Sequence, residues 1–251
     1  MKKTTIKSRV TKIEQISPNV KRIRLHNRNM LEFVNDEVGG YIKLIFEKKD
    51  TGVQLVRPYT IRNFYKKKNE IDIDFSIHGK VRSYASKWAS NVKLNDEILI
   101  SGPGQKKFIN LDSDWFFFIG DMSSLPAINT NIEKLVSDSK GHVVIEIYSD
   151  KDKQIVKKPM NIKYHWVINK NPGKNSNKLI NKVKAIKWLN SNLSLWVACE
   201  FGTMKILRNF FIKEKKIDKD KIYISSYWKI DSDQEEHKIL KKKDSSSWIK
   251  N

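Results

Sequence analysis

The feature that most constrains this chain is a change of hydrophobic rhythm near residue 110. Before that point, short apolar runs are punctuated by turn residues such as Ser17-Pro18-Asn19 and Gly39-Gly40, and helical periodicity is scarce until residues 84–90. From Asp114 onward, continuous apolar runs of strand length alternate with amphipathic helical stretches. The two rhythms call for different layer arrangements, so two domains are expected. Residues 1–110 read as a six-stranded antiparallel β-barrel, with strands at 5–14, 20–25, 41–46, 54–62, 71–77 and 97–101. Residues 111–230 read as an α/β domain with a parallel sheet. Its expected strands are 115–119, 142–148, 163–168, 195–198 and 222–225, with helices at 127–136, 178–189 and 204–215. Residues 102–107 form the expected seam, and 231–251 a charged helical tail. A length of 251 residues leaves each domain room for a core of its own.

Charge narrows the partners. Lysine and arginine total 49 against 28 acids, a formal +21, which draws anions. Most of the excess is lysine spread over loops and helix faces, as ordinary solvated surface would be, and neither a zinc-finger spacing nor an RNA-recognition signature is present. Nucleic acid is therefore not an expected partner. The single cysteine, Cys199, excludes an intrachain disulfide and a cysteine-based metal cluster. No apolar run approaches the roughly 18 residues of a membrane span, and no signal-type apolar stretch follows the first five residues, so a cytoplasmic, non-inserted monomer is expected.

The most informative segment is Arg57-Pro58-Tyr59-Thr60-Ile61-Arg62, placed on an expected strand. Strand alternation puts Arg57, Tyr59 and Ile61 on one side, Thr60 and Arg62 on the other. Guanidinium groups suit a pyrophosphate, an aromatic ring suits a flat isoalloxazine, and a hydroxyl suits its reactive nitrogen. By spacing alone, a plain strand with snorkelling arginines reads as well. The segment resembles the R-x-Y-[ST]-x-R flavin motif of the ferredoxin reductase-like superfamily, in particular the siderophore-interacting protein family. Further matches follow in order. Val10-Thr11-Lys12-Ile13 with Ser17-Pro18-Asn19-Val20-Lys21-Arg22-Ile23 is similar to that family's first hairpin. Asp72-Ile73-Asp74-Phe75-Ser76-Ile77-His78-Gly79, Ala85-Ser86-Lys87-Trp88-Ala89 and Ile98-Leu99-Ile100-Ser101-Gly102-Pro103-Gly104 resemble its later barrel segments. Gly120-Asp121-Met122-Ser123-Ser124-Leu125-Pro126-Ala127-Ile128, Trp196-Val197-Ala198-Cys199-Glu200 and Ser226-Tyr227-Trp228-Lys229 resemble its sheet-edge segments.

The resemblance implies a reductase of ferric siderophores that carries FAD and takes electrons from NADPH or NADH. On it, Arg57, Pro58, Tyr59, Thr60, Arg62, Asp74, Ser76, His78 and Gly79 bind FAD. Arg82, Ser83, Ala85, Ser86 and Trp88 join them where a helix start faces the pyrophosphate. Asp121, Ser123 and Ser124 border the nicotinamide or flavin edge, Cys199 and Glu200 flank the same cleft, and Tyr227 and Trp228 complete the set. Ser149, Lys151 and Lys153 are candidates for a nucleotide phosphate. Lys48, Lys66, Lys67, Lys229 and His237 are candidates for holding an anionic ferric chelate. No acid–base residue and no metal ligand is assigned a catalytic role. The chain departs from the family pattern at Met122, where that pattern has an acid, at Cys199, where it has glycine, and at Lys229, where it has arginine. The 79–84 loop is also longer and lacks a second glycine. The first two departures leave the electron donor open, and a ferredoxin is an alternative. A non-enzymatic basic protein for a ferric chelate or nucleic acid is the reading from another class.

Overall fold

The computed structural model describes residues 5–30, 32, 38–47, 51–77, 83–173, 177–188, 191–232 and 234–249, excluding the side chains of 234, 235 and 245–249. Contacts divide the chain into two compact units. One is 1–108 with 129–131 and 151–156; the other is 109–128, 132–150 and 157–251.

The first unit is one antiparallel sheet: β1 (Thr5–Ser17), β2 (Val20–His26), β3 (Tyr41–Glu47), β4 (Gln54–Thr60), β5 (Asn63–Tyr65), β6 (Glu70–Ser76) and β7 (Glu97–Gly104). Its order is β4-β3-β7-β1-β2-β6-β5. Six strands are expected; among the described residues the sheet has seven, because the fourth run ends at Thr60 and a further short strand, Asn63–Tyr65, follows the break at Ile61 and Arg62. The break has a tertiary cause. β4 and β5 lie at opposite ends of the order yet are separated by two residues, so the sheet must curl into a half-barrel. At the crossing Ile61 turns fully into the core, its N–H bonds Gly40 O at 2.9 Å, and Arg62 N–H bonds Asp72 O at 2.9 Å. Strand alternation then sorts the faces: Ile71, Ile73 and Phe75 of β6 join Ile23, Leu25, Ile42 and Leu44 in the core. The helix α1 (Tyr84–Asn91) buries Ala85, Ser86 and Ala89. Its N-cap Ser83 accepts the Ser86 N–H at 3.1 Å.

The second unit is a parallel sheet of β8 (Trp115–Asp121), β9 (Lys140–Ile147), β10 (Ile162–Ile168), β11 (Leu193–Glu200) and β12 (Ile222–Trp228), in the order β10-β9-β8-β11-β12. Every residue of β8 and β11 is buried, which is why both read as unbroken apolar runs. The helices are α2 (Leu125–Ile132), α3 (Asn177–Lys184), α4 (Phe201–Asn209) and α5 (Gln234–Ile249). α3 ends before the expected residue 189, and Trp188 packs instead against Trp115 and Phe117 at 5.3 and 5.5 Å. α4 runs into a π-turn, Phe210–Glu214, whose wider winding lets the consecutive Phe210 and Phe211 both face the core.

The tail helix α5 is fastened to this unit. Arg208 grips Asp244 through two bonds of 2.6 Å, and Lys241 Nζ donates to Ser225 Oγ at 2.7 Å and Ser226 O at 2.9 Å. No helix among the described residues is long and apolar enough to cross a membrane.

Candidate functional site

In the first unit the candidate site lies on β4, an end strand of the sheet. Arg57 and Tyr59 face the same side, in register with Leu44 and Ile42 of β3. Tyr59 is backed by a run of rings. Its centroid lies 4.5 Å from Phe75, Phe75 lies 5.5 Å from Trp88, and Trp88 lies 5.7 Å from Phe46. The half-buried phenol is thus held by packing, and burial pushes its pKa up against the opposing charge of Arg57, so it stays neutral. Arg57 Nη1 donates to Val56 O at 3.0 Å, Pro58 is exposed, and Thr60 is half-buried opposite Tyr41. The strand ends at Thr60, so its alternation does not carry on to Ile61 and Arg62; Ile61 lies in the core cluster against which Tyr59 packs. Arg62 is half-buried beside Asn63, with Nη1 3.3 Å from Oδ1.

Ser76, Ser83, Ala85, Ser86 and Trp88 come together where β6 hands over to α1, and Ser86 Oγ donates to Ser76 O at 3.3 Å. Asp74 does not join them. It lies on the opposite face of β6 from Phe75, where Arg22 binds it through two bonds of 2.6 and 2.8 Å. Beside it Asp72, fully buried, accepts Arg24, Asn63 and Tyr65 at 2.7–3.0 Å. Lys66 and Lys67 are exposed on the turn before β6. Lys48, His78, Gly79 and Arg82 lie outside the described residues.

The groups present fit a flavin dinucleotide in kind. Arg57 and the first-turn amides of α1 are donors for a pyrophosphate, Thr60 offers a hydroxyl, and the braced Tyr59 ring offers a flat surface.

In the second unit the candidates gather at the carboxyl ends of the strands, beside the β8–β11 boundary where the strand order reverses. Asp121, buried, is the hub. Its Oδ1 accepts Ser123 N at 2.9 Å and Ser123 Oγ at 2.5 Å, and its Oδ2 accepts Trp228 Nε1 at 2.8 Å and Glu200 N at 3.0 Å. Ser124 Oγ closes the turn by bonding Asp121 N at 3.2 Å and Asp121 O at 3.0 Å. The residue before it has to be glycine, since a Cβ on Gly120 would lie 2.1 Å from that hydroxyl. Glu200 caps α4 by accepting Thr203 N at 3.0 Å, and also takes Ile230 N at 3.3 Å.

Asp121 pairs in register with Glu146 of β9. Glu146 is buried with Asn169 Nδ2 at 3.0 Å. Burial first, and then the charges of Asp121 and Glu200, push it up to about 7. Burial raises Asp121 as well, against its four hydrogen bonds.

Two expectations need correction. Cys199 points into the hydrophobic core with Leu195 and Val197 instead of flanking a cleft, and burial followed by the neighbouring carboxylates raises its thiol. His237 is 3% exposed beneath α5, with Nε2 2.8 Å from Ser226 Oγ, so its ring is not offered to a substrate. Burial and the nearby Lys241 and Lys229 depress it to about 4. Tyr227 lies 6.3 Å from Trp196, Lys229 Nζ is 3.4 Å from Ile230 O, Ser149 is half-buried and Lys151 exposed.

Sequence reasoning missed Phe75 as the backing of Tyr59 and Glu146 as a buried acid. Each carried a signal. Phe75 continues the Ile71, Ile73 alternation, and Glu146 interrupts the apolar run Val143-Val144-Ile145.

Residues 51–107 match the siderophore-interacting FAD-binding domain, and residues 113–231 match the siderophore-interacting protein family. Ferric vibriobactin reductase ViuB of Vibrio cholerae is 27% identical over 239 residues, covering 88% of each chain. The siderophore-interacting protein structure from Acinetobacter baumannii superposes at a TM-score of 0.87 with 20% identity, over 100% of both chains. The ferredoxin-NADP+ reductase from Plasmodium falciparum does so at 0.63 with 16% identity, over 89% of this chain and 97% of that one. The two structural likenesses are likenesses of fold.

Proposed function

Because this chain belongs to the siderophore-interacting protein family, we propose that it is an FAD-dependent reductase of ferric siderophores, drawing on NADPH or NADH and releasing ferrous iron in the cytoplasm. The observation that carries the reading is the braced Tyr59 ring, beside Arg57 on one face of β4. The relative named a ferric vibriobactin reductase supports the substrate class.

FAD bound there would accept electrons in pairs and pass them on singly. The chain's own part is positional. Tyr59, held by its packing on Phe75, would orient the ring system, while Arg57 and the start of α1 would counter the pyrophosphate charge. Asp121 fixes the turn after β8 and the Trp228 indole, and so shapes the edge to which a nicotinamide would come. Ferric iron in a siderophore is bound by hard oxygen donors; as Fe(II) it is held less tightly and leaves. Lys66, Lys67 and Lys229 are the lysines proposed to attract the anionic chelate.

A second reading, delivery of electrons by a ferredoxin, is favoured by one observation. The formal net charge of +21 would attract an acidic ferredoxin. Anaerobic stopped-flow mixing of the FAD-loaded protein with NADPH, NADH and a reduced ferredoxin decides between them. Rapid bleaching of the flavin by either nicotinamide, followed by reoxidation with a ferric catecholate, is the expected result. Failure of all three donors sinks the reductase reading.

A further inference from the structure

Two histidines at one end of the parallel sheet take no part in the flavin reading. β10 is an end strand, and its His165 shares a face with the core residue Val167, just as His142 of the neighbouring β9 shares one with Val144. The two rings stack with centroids 5.1 Å apart, and His142 Nδ1 lies 2.9 Å from His165 Nε2. Both residues are half-buried. Ring nitrogens this close either share one hydrogen or grip one cation between them.

The surroundings keep both rings in the form that ligates metals. Burial, followed by the charges of Lys163 and Lys182, lowers the pKa of His142. Burial, then Lys182, His142 and Lys163, depress His165 to about 4. Two neutral imidazoles therefore face each other at neutral pH. An ion at roughly 2.0–2.1 Å from each nitrogen would see the 2.9 Å pair at an angle of about 90°. That angle belongs to square-planar and octahedral ions and is narrow for tetrahedral zinc. Among the described residues no third histidine, cysteine, aspartate or glutamate joins the pair, so the other coordination positions fall to water. We propose that His142 and His165 form an open, two-nitrogen site for a divalent transition-metal ion of tetragonal preference, such as Ni2+ or Cu2+. On binding, the hydrogen between the rings moves to the far nitrogen of its own ring, each ring turns slightly, and no proton is released. Lys163 and Lys182 repel the ion, which makes the site weak and its metal exchangeable. The site stands independently of the flavin reading.

The test is equilibrium dialysis of the untagged full chain against Ni2+ at about pH 7.5, where both rings are neutral. Saturable binding is expected, and excess Mg2+, which prefers oxygen ligands, should not compete. His142→Gln and His165→Gln are each expected to weaken binding at least about tenfold. His26→Gln, in the first unit, should leave it intact. Lys182→Gln, which removes a like charge and no ligand, is expected to tighten binding about two- to fivefold. No binding by the unaltered chain, or full binding by both histidine variants, overturns the proposal and leaves the pair as a hydrogen bond only. An affinity that Lys182→Gln leaves unchanged or lowers overturns it as well, and that variant decides the matter should a histidine variant fail to fold.

Discussion

Trp228 donates its indole N–H to the Asp121 carboxylate at 2.8 Å, tying the last strand of the parallel sheet to the turn that follows its central strand. The same carboxylate holds Ser123 and the backbone N–H of Glu200, so one buried side chain fixes the turn after β8, the entry to α4 and the end of β12.

Asp121→Ala should therefore cost about 3 kcal/mol, because it strands several donors away from water. Asp121→Asn, which keeps one acceptor oxygen, should cost less. Urea unfolding followed by tryptophan fluorescence measures both, and a loss below about 1 kcal/mol for the alanine variant contradicts the role given to this side chain.

Glu146 makes the stability of the second unit depend on pH in an unusual direction. Its carboxyl titrates near 7 when folded and near the ordinary 4.5 when unfolded, so between those values the folded chain binds the extra proton. The contribution is complete below about pH 4.5 and is lost as pH rises through 7. Glu146→Gln should remove that slope and stabilise the protein at pH 8 by roughly 1–3 kcal/mol. Denaturant midpoints taken from pH 5 to pH 8 check it; parallel curves for the two proteins would refute the assignment.

Asp72 works the other way. Burial opposes its ionisation, but the bonds from Arg24, Asn63 and Tyr65 outweigh burial and hold its pKa below the usual range. Its stabilisation is present above the unfolded value of about 3.9 and is lost as pH falls through the lower folded value. Asp72→Ala should destabilise the first unit by about 3–5 kcal/mol, since it removes the two-bond partner of Arg24 and leaves it only the looser 3.9 Å contact with Glu70 in a largely buried place. Thermal melting near neutral pH gives the number.

Flavin retention tests the aromatic brace. Phe75→Leu keeps the core filled while removing the ring under Tyr59, and should weaken FAD binding about 3–10-fold. Tyr59→Ala should weaken it further, and Val136→Ala, at an exposed position of the second unit, should leave it unchanged. Fluorescence titration of the apo-protein with FAD separates these outcomes; equal affinity in all three would remove β4 from the site.

The parallel sheet was legible because strands covered on both faces must be apolar at every position, as Trp115-Phe116-Phe117-Phe118-Ile119 is. The break in the fourth barrel run was not, because nothing local marks Ile61; it turns inward only because two distant sheet ends meet there. The flavin motif was readable as a set of chemical groups, whereas the partner of Asp74 was not, since cross-strand register alone brings Arg22 to it. His237 misled for the same reason. On a lysine-rich helix it reads as solvent-exposed, and only the docking of α5 onto Ser226 buries it.

The placement of Cys199 bears on chemical durability. Thiolates are the first protein groups that peroxide attacks. The single thiol here is sealed among aliphatic side chains, with carboxylates near enough to discourage its ionisation. The chain thus carries no surface sulfhydryl through which an oxidant could inactivate it or couple it to a second copy.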